Sequence, residues 1–341
     1  YIENITFTGN RATNGGGINF QAASSRPIRS CRFIGNHATL DGGGIFADPV
    51  ANFIPIVNCL FEGNTAGDDG GGFFYRQGIQ FDTAFLYNTV FRNNAAGSTG
   101  GALWFNAHGS TIPLKIANCE FAENTAGIAG GAVWVFGGAT IDPSVGAVIP
   151  ASRVTCNTST FVSNSAGESG GAVFLDRSDR TDAFLNATNC IFWNNDAEVD
   201  ATATPTAIIS TSIVEHGWAG GGGGGVFDAD PLFLDAPSDL RLASLSPAID
   251  RGDTLNIPGD YFDLDADTIK DDEIPFDLLA QGRRFDAWAD DTPIVPSPVI
   301  DLGAHESRAA CRADINGDGT TDTADLGLFI GFFSAGDARA D

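Results

Sequence analysis

The sequence predicts an all-β fold, a single-stranded parallel β-helix with about seven recognisable coils, because three kinds of residue recur together along it. Each repeat begins with a Phe, and an Asn follows three residues later. A Gly pair follows nine and ten residues after each of the first six Phe, and successive Phe are 26 to 40 positions apart. Helical repeats of this length need long segments with a period of 3.6 residues, which this sequence lacks. The recurring residues are Phe7, Phe33, Phe61, Phe91, Phe121, Phe161 and Phe192, with Asn10, Asn36, Asn64, Asn94, Asn124, Asn164 and Asn195.

Each column of repeated residues has a predicted place in the coil. Neighbouring strands lie about 4.8 Å apart, so equivalent residues of successive coils stack on one another. We expect the Phe column to fill the core, and the Asn column to form a side-chain ladder at a bend where backbone groups need partners. We expect the Gly pairs at the next corner, because Gly adopts positive φ without strain.

A fourth column lies two residues before each Phe and contains small or β-branched side chains. Four of the six cysteines belong to it, which favours buried packing over a disulfide framework or a metal site. Cys156 and Cys311 lie outside this register, and a bridge between them is left open. The column consists of Ile5, Cys31, Cys59, Thr89, Cys119, Ser159 and Cys190.

The charge of the chain excludes one class of partner. Among 341 residues there are 43 Asp and Glu but only 18 Lys and Arg, which gives a formal net charge of −25. Such a surface repels phosphate groups, so no nucleic-acid partner is expected. No stretch reaches the roughly 18 consecutive apolar residues of a transmembrane helix, so no membrane span is predicted.

Residues 212–306 carry specific motifs of a known region. They include Gly217-Trp218, residues 228–233 (DADPLF), residues 246–250 (SPAID) and residues 301–306 (DLGAHE). Together these motifs resemble the choice-of-anchor Q region, which follows secreted β-helices of planctomycetes and environmental bacteria. The chain departs from that family in an acidic insert, residues 260–291, where such proteins usually have a shorter segment.

The repeats before this region are similar to right-handed β-helices of the pectin-lyase-like superfamily. Their coils, with Asn followed by a Gly pair, also resemble those of polymorphic outer-membrane and adhesin-like proteins. These resemblances imply a right-handed coil and an extracellular location, either secreted or at the cell surface. The expected partner is an extracellular polysaccharide or another cell-surface component.

Enzymes of the pectin-lyase-like superfamily use a groove along the coils, with clustered acids and a basic residue. The candidate catalytic residues here are Asp48, Arg76, Asp176 and Arg177, near the position fifteen residues after successive Phe. No column holds three acids, which favours the interpretation that these residues lie in solvated loops on the outer face. A third interpretation is carbohydrate binding by aromatic side chains on nearby strands: Tyr75, Trp104 and Trp134.

Residues 314–325 (DINGDGTTDTAD) predict a Ca²⁺ site. A 12-residue loop binds Ca²⁺ through positions 1, 3, 5, 7, 9 and 12, with Gly at position 6 for the turn. Gly319 stands at that turn, and a helix is predicted after the loop. The loop resembles one repeat of a type I dockerin, so a cohesin-like partner is expected only if a second repeat exists. The expected ligands are Asp314, Asn316, Asp318, Thr320, Asp322 and Asp325.

The sequence therefore divides into three parts: β-helix repeats in residues 1–211, a choice-of-anchor Q-like part and cap in 212–306, and a truncated dockerin-like segment in 307–341. The glycine-rich stretch from Trp218 to Gly225 is interpreted as a flexible connection. The predicted function is a structural, adhesion or carbohydrate-binding role outside the cell. The alternative is a polysaccharide lyase or glycoside hydrolase that acts on an extracellular glycan.

Overall fold

The computed structural model describes residues 2–20, 27–50, 54–77, 84–107, 113–137, 152–178, 181–201, 207–220, 222, 224–264, 268–269, 272–282, 300–307 and 323. Over these residues the chain winds as a parallel β-solenoid, which confirms the predicted fold class. The helix predicted after the Ca²⁺ loop lies outside the described residues. The right-handed sense of the coil stays a prediction.

Each coil of the solenoid is built from short strands. Those of the first three coils are β1 (Ile2–Glu3), β2 (Thr6–Thr8), β3 (Arg11–Ala12), β4 (Ile18–Phe20), β5 (Ile28–Arg29), β6 (Arg32–Ile34), β7 (His37–Ala38), β8 (Ile45–Val50), β9 (Ile56–Val57), β10 (Leu60–Glu62), β11 (Thr65–Ala66) and β12 (Phe73–Gln77). Those of the next three coils are β13 (Ala84–Tyr87), β14 (Val90–Arg92), β15 (Ala95–Ala96), β16 (Leu103–Asn106), β17 (Leu114–Ala117), β18 (Glu120–Ala122), β19 (Thr125–Ala126), β20 (Val133–Val135), β21 (Arg153–Asn157), β22 (Thr160–Val162), β23 (Ser165–Ala166) and β24 (Val173–Leu175).

The remaining strands end the solenoid and begin the C-terminal part. They are β25 (Arg177–Ser178), β26 (Thr181–Asp182), β27 (Phe184–Thr188), β28 (Ile191–Trp193), β29 (Val199–Ala201), β30 (Ala207–Ser210), β31 (Ser212–Val214), β32 (Val226–Phe227), β33 (Phe233–Asp235) and β34 (Asp239–Leu242). A single 3₁₀ turn, Thr254–Asn256, follows in the described part of the chain.

Four parallel sheets, named A to D in the order in which each coil visits them, form the walls of the solenoid. In the described residues, sheet A runs from β1 to β30 with eight strands and sheet B from β2 to β32 with nine. Sheet C runs from β3 to β23 with six strands, and sheet D from β4 to β29 with seven. Two antiparallel pairs, β25–β26 and β33–β34, lie outside this framework.

The Phe column forms the predicted internal stack in sheet B. Adjacent rings from Phe7 to Phe192 are stacked nearly parallel, with centroids 4.5–5.2 Å apart. Every ring from Phe33 onward is at most 1% exposed. The prediction of a continuous aromatic core is therefore confirmed.

The Asn column forms the predicted ladder at the bend between sheets B and C. In the middle of the ladder, Asn94 Oδ1 accepts hydrogen bonds from the backbone nitrogen and the side-chain nitrogen of Asn64. Asn94 Nδ2 donates to the carbonyl oxygen of Phe61 and to Asn124 Oδ1, both at 2.9 Å. Each amide side chain thus satisfies buried backbone groups of the coil before it and joins that coil to the next.

The Gly pairs stand at the corner between sheets C and D, and the two members have different roles. Gly100 has a φ of +66°. A Cβ on Gly101 would lie 2.1 Å from the carbonyl oxygen of Gly131 in the next coil. The first Gly therefore allows the left-handed backbone, and the second allows adjacent coils to approach.

The cysteine column lies at the turn between sheets A and B, and its described thiols are buried and unbridged, as predicted. Cys156 lies outside this column, as predicted, because it pairs in register with Ile116 and Ala187. It belongs to β21 and faces the core, with its Sγ 3.8 Å from Cys190 Sγ in the next coil. A bridge from Cys156 to Cys311 gains no support from this position, and Cys311 lies outside the described residues.

The described residues of the glycine-rich stretch from Trp218 to Gly225 pack against the C-terminal end of the solenoid, and the flexibility of this stretch stays a prediction. Trp218 packs against the end of the core. The carbonyl oxygens of Gly224 and Gly225 accept hydrogen bonds from the backbone of Thr211 and Ser212. Gly222 lies so close to the last strand of sheet A that a Cβ would be 2.3 Å from the carbonyl oxygen of Ile209.

The rest of the C-terminal part lies along the side of the solenoid, against the outer faces of sheets A and B. Asn189 in the turn between these sheets exchanges hydrogen bonds with the backbone of Asp253. Near the N-terminal coils, Phe262 packs edge-on against Tyr87 and its carbonyl oxygen accepts from Arg29. This flanking chain creates the one groove described below.

Candidate functional site: a groove on the outer face of sheet B

A groove of about 850 Å³ lies between sheet B and the flanking C-terminal chain. Its floor is a column of outward-facing residues that pair in register through four coils: Arg32, Leu60, Val90 and Glu120. Its wall consists of Leu264 and residues 276–280, which belong to the acidic insert. Residues of the acidic insert therefore build one side of the groove.

The groove is open at one end and closed at the other. At the open end Arg32 is exposed, whereas Leu60 and Val90 are half-buried and Glu120 is buried. His305 covers the closed end beside Glu120. The flanking chain thus covers the floor progressively from the second coil to the fifth.

Three charged or ionisable side chains meet at the closed end. Glu120 Oε1 accepts a hydrogen bond from Arg92 Nη2, and Glu120 Oε2 lies 3.3 Å from His305 Nε2. An ionised carboxylate only accepts hydrogen bonds, so His305 carries its proton on Nε2. Glu120 therefore links the β-solenoid to the C-terminal chain through one buried carboxylate.

The surroundings of Glu120 keep it ionised. Burial acts to raise the pKa of this carboxyl group, but the hydrogen bond and charge of His305 and the guanidinium of Arg92 outweigh it. The net pKa lies below its usual value. A carboxylate with this environment is a fixed negative charge at neutral pH rather than a proton donor.

His305 is held in place by the backbone geometry and contacts of its own segment, residues 301–306. Gly303 has a φ of +89°, and a Cβ there would lie 2.6 Å from Thr160 Oγ1 on sheet B. The next backbone nitrogen, that of Ala304, donates to the same hydroxyl group at 3.0 Å. Asp301 and Glu306 turn inward and accept backbone hydrogen bonds from the C-terminal chain, including one from Asp250. The DLGAHE motif thus docks the C-terminal chain on the solenoid.

Three buried polar atoms beside the groove have no hydrogen-bond partner among the described residues. They are Arg92 Nε, Asn88 Oδ1 and His305 Nδ1. Leaving such an atom unpaired costs roughly 1–3 kcal/mol. The groove lining therefore holds hydrogen-bonding capacity that the described residues do not use.

Two of the predicted catalytic residues pair with each other instead of facing a shared site. The guanidinium of Arg76 forms a bidentate ion pair with the carboxylate of Asp48 in the adjacent coil of sheet D. Asp176 follows β24, three coils further along, which places it about 14 Å from Arg76. Arg177 begins the antiparallel pair β25–β26, and its side chain lies outside the described residues. The structure does not bring the four candidates together.

The aromatic residues proposed for sugar stacking lie on opposite faces of sheet D. Tyr75 points into the core and is 1% exposed, so its predicted place on the outer face is wrong. Trp104 and Trp134 point outward, but they stack on each other with centroids 5.2 Å apart and are each 8% exposed. Phe74 covers the other face of Trp104 at 4.2 Å. The ring faces that a sugar would need are occupied by neighbouring rings.

Sequence reasoning did not identify Arg92 and Glu120, and it included His305 only as part of the DLGAHE motif. The DLGAHE motif was the available signal, because it placed a histidine in a specific pattern without explaining it. All six predicted Ca²⁺ ligands, from Asp314 to Asp325, lie outside the described residues. In the described part of the chain, no helix has the length and apolar composition to cross a bilayer.

Comparison with known proteins identifies one family of repeats. Residues 4–21 and 30–48 match the model of the Chlamydia polymorphic membrane protein repeat. Each matched segment contains one Phe and one Asn of the stacked columns and a Gly-rich corner. No curated protein sequence and no solved structure matches the chain.

Proposed function

We propose that this protein is a secreted or cell-surface β-solenoid with a structural and adhesive role that does not involve catalysis. The observation that carries the proposal is the unbroken pair of internal columns, in which Phe rings and Asn amides join seven successive coils. Such a core makes a rigid, elongated support on which an outer surface can be displayed. The match to a repeat of a Chlamydia polymorphic membrane protein supports a location at the cell surface.

The pairing of the predicted catalytic residues supports a role without catalysis. A base must be close to the proton that it removes, and Arg76 is instead occupied by Asp48. The enzymatic alternative requires Asp176 and Arg177 to act without Asp48 and Arg76. A lyase would cleave polyuronates into unsaturated products, and these products absorb ultraviolet light.

A binding assay and an activity assay together test the proposal. We expect purified protein to bind immobilised extracellular polysaccharide or intact cell surfaces, and to release no unsaturated or reducing product, with or without added Ca²⁺. Product release by the unmodified protein that disappears in Asp176→Ala and Arg177→Ala would establish the lyase or hydrolase alternative. Binding that is absent from every surface tested would remove the adhesive role.

We also propose that residues 314–325 bind Ca²⁺ as a dockerin-like loop, with Asp314, Asn316, Asp318, Thr320, Asp322 and Asp325 as ligands. The support is the complete set of oxygen ligands at the required spacing, together with Gly319 at the turn. Calorimetric titration with Ca²⁺ should show one binding event that Asp318→Ala abolishes. Equal heats from the two proteins would contradict the site.

A further inference from the structure

The groove on sheet B is lined by two arginines and three carboxylates, so its charged residues have a small negative balance. Arg32 and Arg92 are matched by Glu62 and Glu120. The carboxylate of Asp277, in the wall, is occupied by backbone nitrogens of Leu279, Gln281 and Glu306. Because the whole chain carries a net charge of −25, nothing at this site compensates a strongly anionic ligand.

The uncharged part of the lining is apolar on one side and polar on the other. Leu60, Val90, Leu264 and Phe276 offer hydrocarbon and ring surface along the groove. On either side of Val90, in the fourth coil, lie the unpartnered oxygen of Asn88, an acceptor, and the unpartnered nitrogen of Arg92, a donor. His305 is 5% exposed and its Nδ1, which also lacks a partner, completes this group.

A ligand that suits such a lining must combine C–H surface with groups that both donate and accept hydrogen bonds. Hydroxyl groups do both, whereas carboxylates and phosphates only accept. The volume of about 850 Å³ lies within the range of roughly 300–1,000 Å³ that is usual for small-ligand sites. The unpartnered atoms belong to residues that line the groove, so a ligand hydroxyl that reaches them supplies the hydrogen bonds they lack.

We propose that the groove binds a neutral oligosaccharide, with one sugar ring against Phe276, Leu60 and Val90 and its hydroxyl groups directed to Arg92, Asn88 and His305. The site differs from the outward aromatic residues of sheet D and from the column that contains Asp48 and Arg76. This binding site rests on the proposed function in one respect, namely that the bound oligosaccharide is not cleaved.

Val90→Trp tests the site because it fills the middle of the groove with a larger side chain. Thr6→Trp is the matched control. Thr6 occupies the same outer column three strands before Val90 and lies outside the groove lining. The probes are cellotetraose and maltotetraose as neutral ligands and tetragalacturonate as an acidic ligand, each titrated by calorimetry into the whole chain. Circular dichroism melting curves confirm that both variants fold.

We expect at least one neutral tetrasaccharide to bind, with affinity lowered about tenfold or more by Val90→Trp and little changed by Thr6→Trp. Arg32→Ala, at the exposed mouth, provides a second variant that leaves the packed part of the fold intact. Its effect should be smaller than that of Val90→Trp. Equal affinity in Val90→Trp and the unmodified protein would overturn the proposal, as would binding of tetragalacturonate alone or of neither class.

The same experiment separates the site from the proposed function. If a neutral tetrasaccharide binds in the groove and is then cleaved, the site is correct and the role without catalysis is wrong. If the protein adheres to surfaces while neither neutral tetrasaccharide binds, the adhesive role stands and the assignment of the groove fails.

Discussion

Glu120 Oε2 lies 3.3 Å from His305 Nε2, although the two residues are 185 positions apart in the sequence. Glu120 belongs to the solenoid and His305 to the chain that flanks it. Arg92 supplies the second ion-pair partner of this carboxylate from the coil before. The contact therefore fastens two parts of the molecule and shapes the closed end of the groove.

Glu120→Gln should destabilise the protein by roughly 3 kcal/mol, because it leaves Arg92 and His305 beside a buried neutral group. Urea unfolding measures the change. Glu62→Gln is the control, since Glu62 lies on the same face, is half-buried and has no ion-pair partner among the described residues. Its effect should remain within about 0.5 kcal/mol. Equal losses of unfolding free energy in the two variants would contradict a stabilising role for the contacts of Glu120 with Arg92 and His305.

Gly303→Ala should release the C-terminal chain from sheet B. A Cβ at this position meets both Thr160 and Ile191 within 3 Å, and the left-handed backbone adds a cost of about 1 kcal/mol. Limited proteolysis should therefore cut residues near 300–307 faster than in the unmodified protein. Gly217→Ala is the control for the left-handed backbone without the steric contact, because Gly217 has a φ of +77° but nothing within 4 Å of its added Cβ. Equally fast cleavage near residues 300–307 in both variants would contradict the role of this contact.

Because of Glu198, the folding stability of the protein should fall as the pH rises from 4.5 to 8. Burial, and secondarily the carboxylate of Glu215, raise the pKa of Glu198 from 4.5 to about 8. Between these values the folded protein binds a proton that the unfolded chain releases, so stability falls as the pH increases from 4.5 to 8. Thermal melts across this range should show the decline, and Glu198→Gln should reduce it. An unchanged slope in the variant would assign the decline to other groups.

Phe91→Ala should be among the most damaging single substitutions in the core. Its ring lies between those of Phe61 and Phe121, with centroids 4.5 and 5.2 Å away, and its loss should cost about 4 kcal/mol. Phe7→Ala should cost clearly less, because Phe7 is half-buried in the first described coil and stacks only on Phe33 among the described rings. Urea unfolding of the two variants checks the order, and the opposite order would contradict a stack that is strongest in its middle.

The columns of the solenoid could be predicted because the fold repeats the same environment in every coil. Phe61 and Asn64 each stand next to copies of themselves, so the periodic sequence and the contacts contain the same information. The direction in which a single side chain points is harder to predict, because it depends on the exact register of its strand. Tyr75 and Trp104 were assigned to one surface, but side chains alternate along a strand, and Tyr75 pairs in register with Phe105 rather than with Trp104.

The groove could not be predicted because its two sides do not repeat. Glu120 replaces Val90 and Leu60 in an outer column whose residues change from coil to coil. Its partner His305 belongs to an irregular chain without periodic pattern, so spacing carries no information about their distance. The same holds for Phe276, whose place in the wall depends on how the acidic insert folds back.

The central claim is that the chain advances by one strand spacing per coil, and a distance between two spin labels tests it most directly. Arg11 and Thr125 are both exposed, occupy equivalent places in sheet C and are separated by four coil spacings. Labels on Arg11→Cys and Thr125→Cys, in a Cys311→Ser background, should give one narrow distance distribution consistent with a Cα separation of about 19 Å by double electron–electron resonance. A broad distribution, or a separation that follows the 114 intervening steps of sequence rather than four coils, would contradict the stacked solenoid.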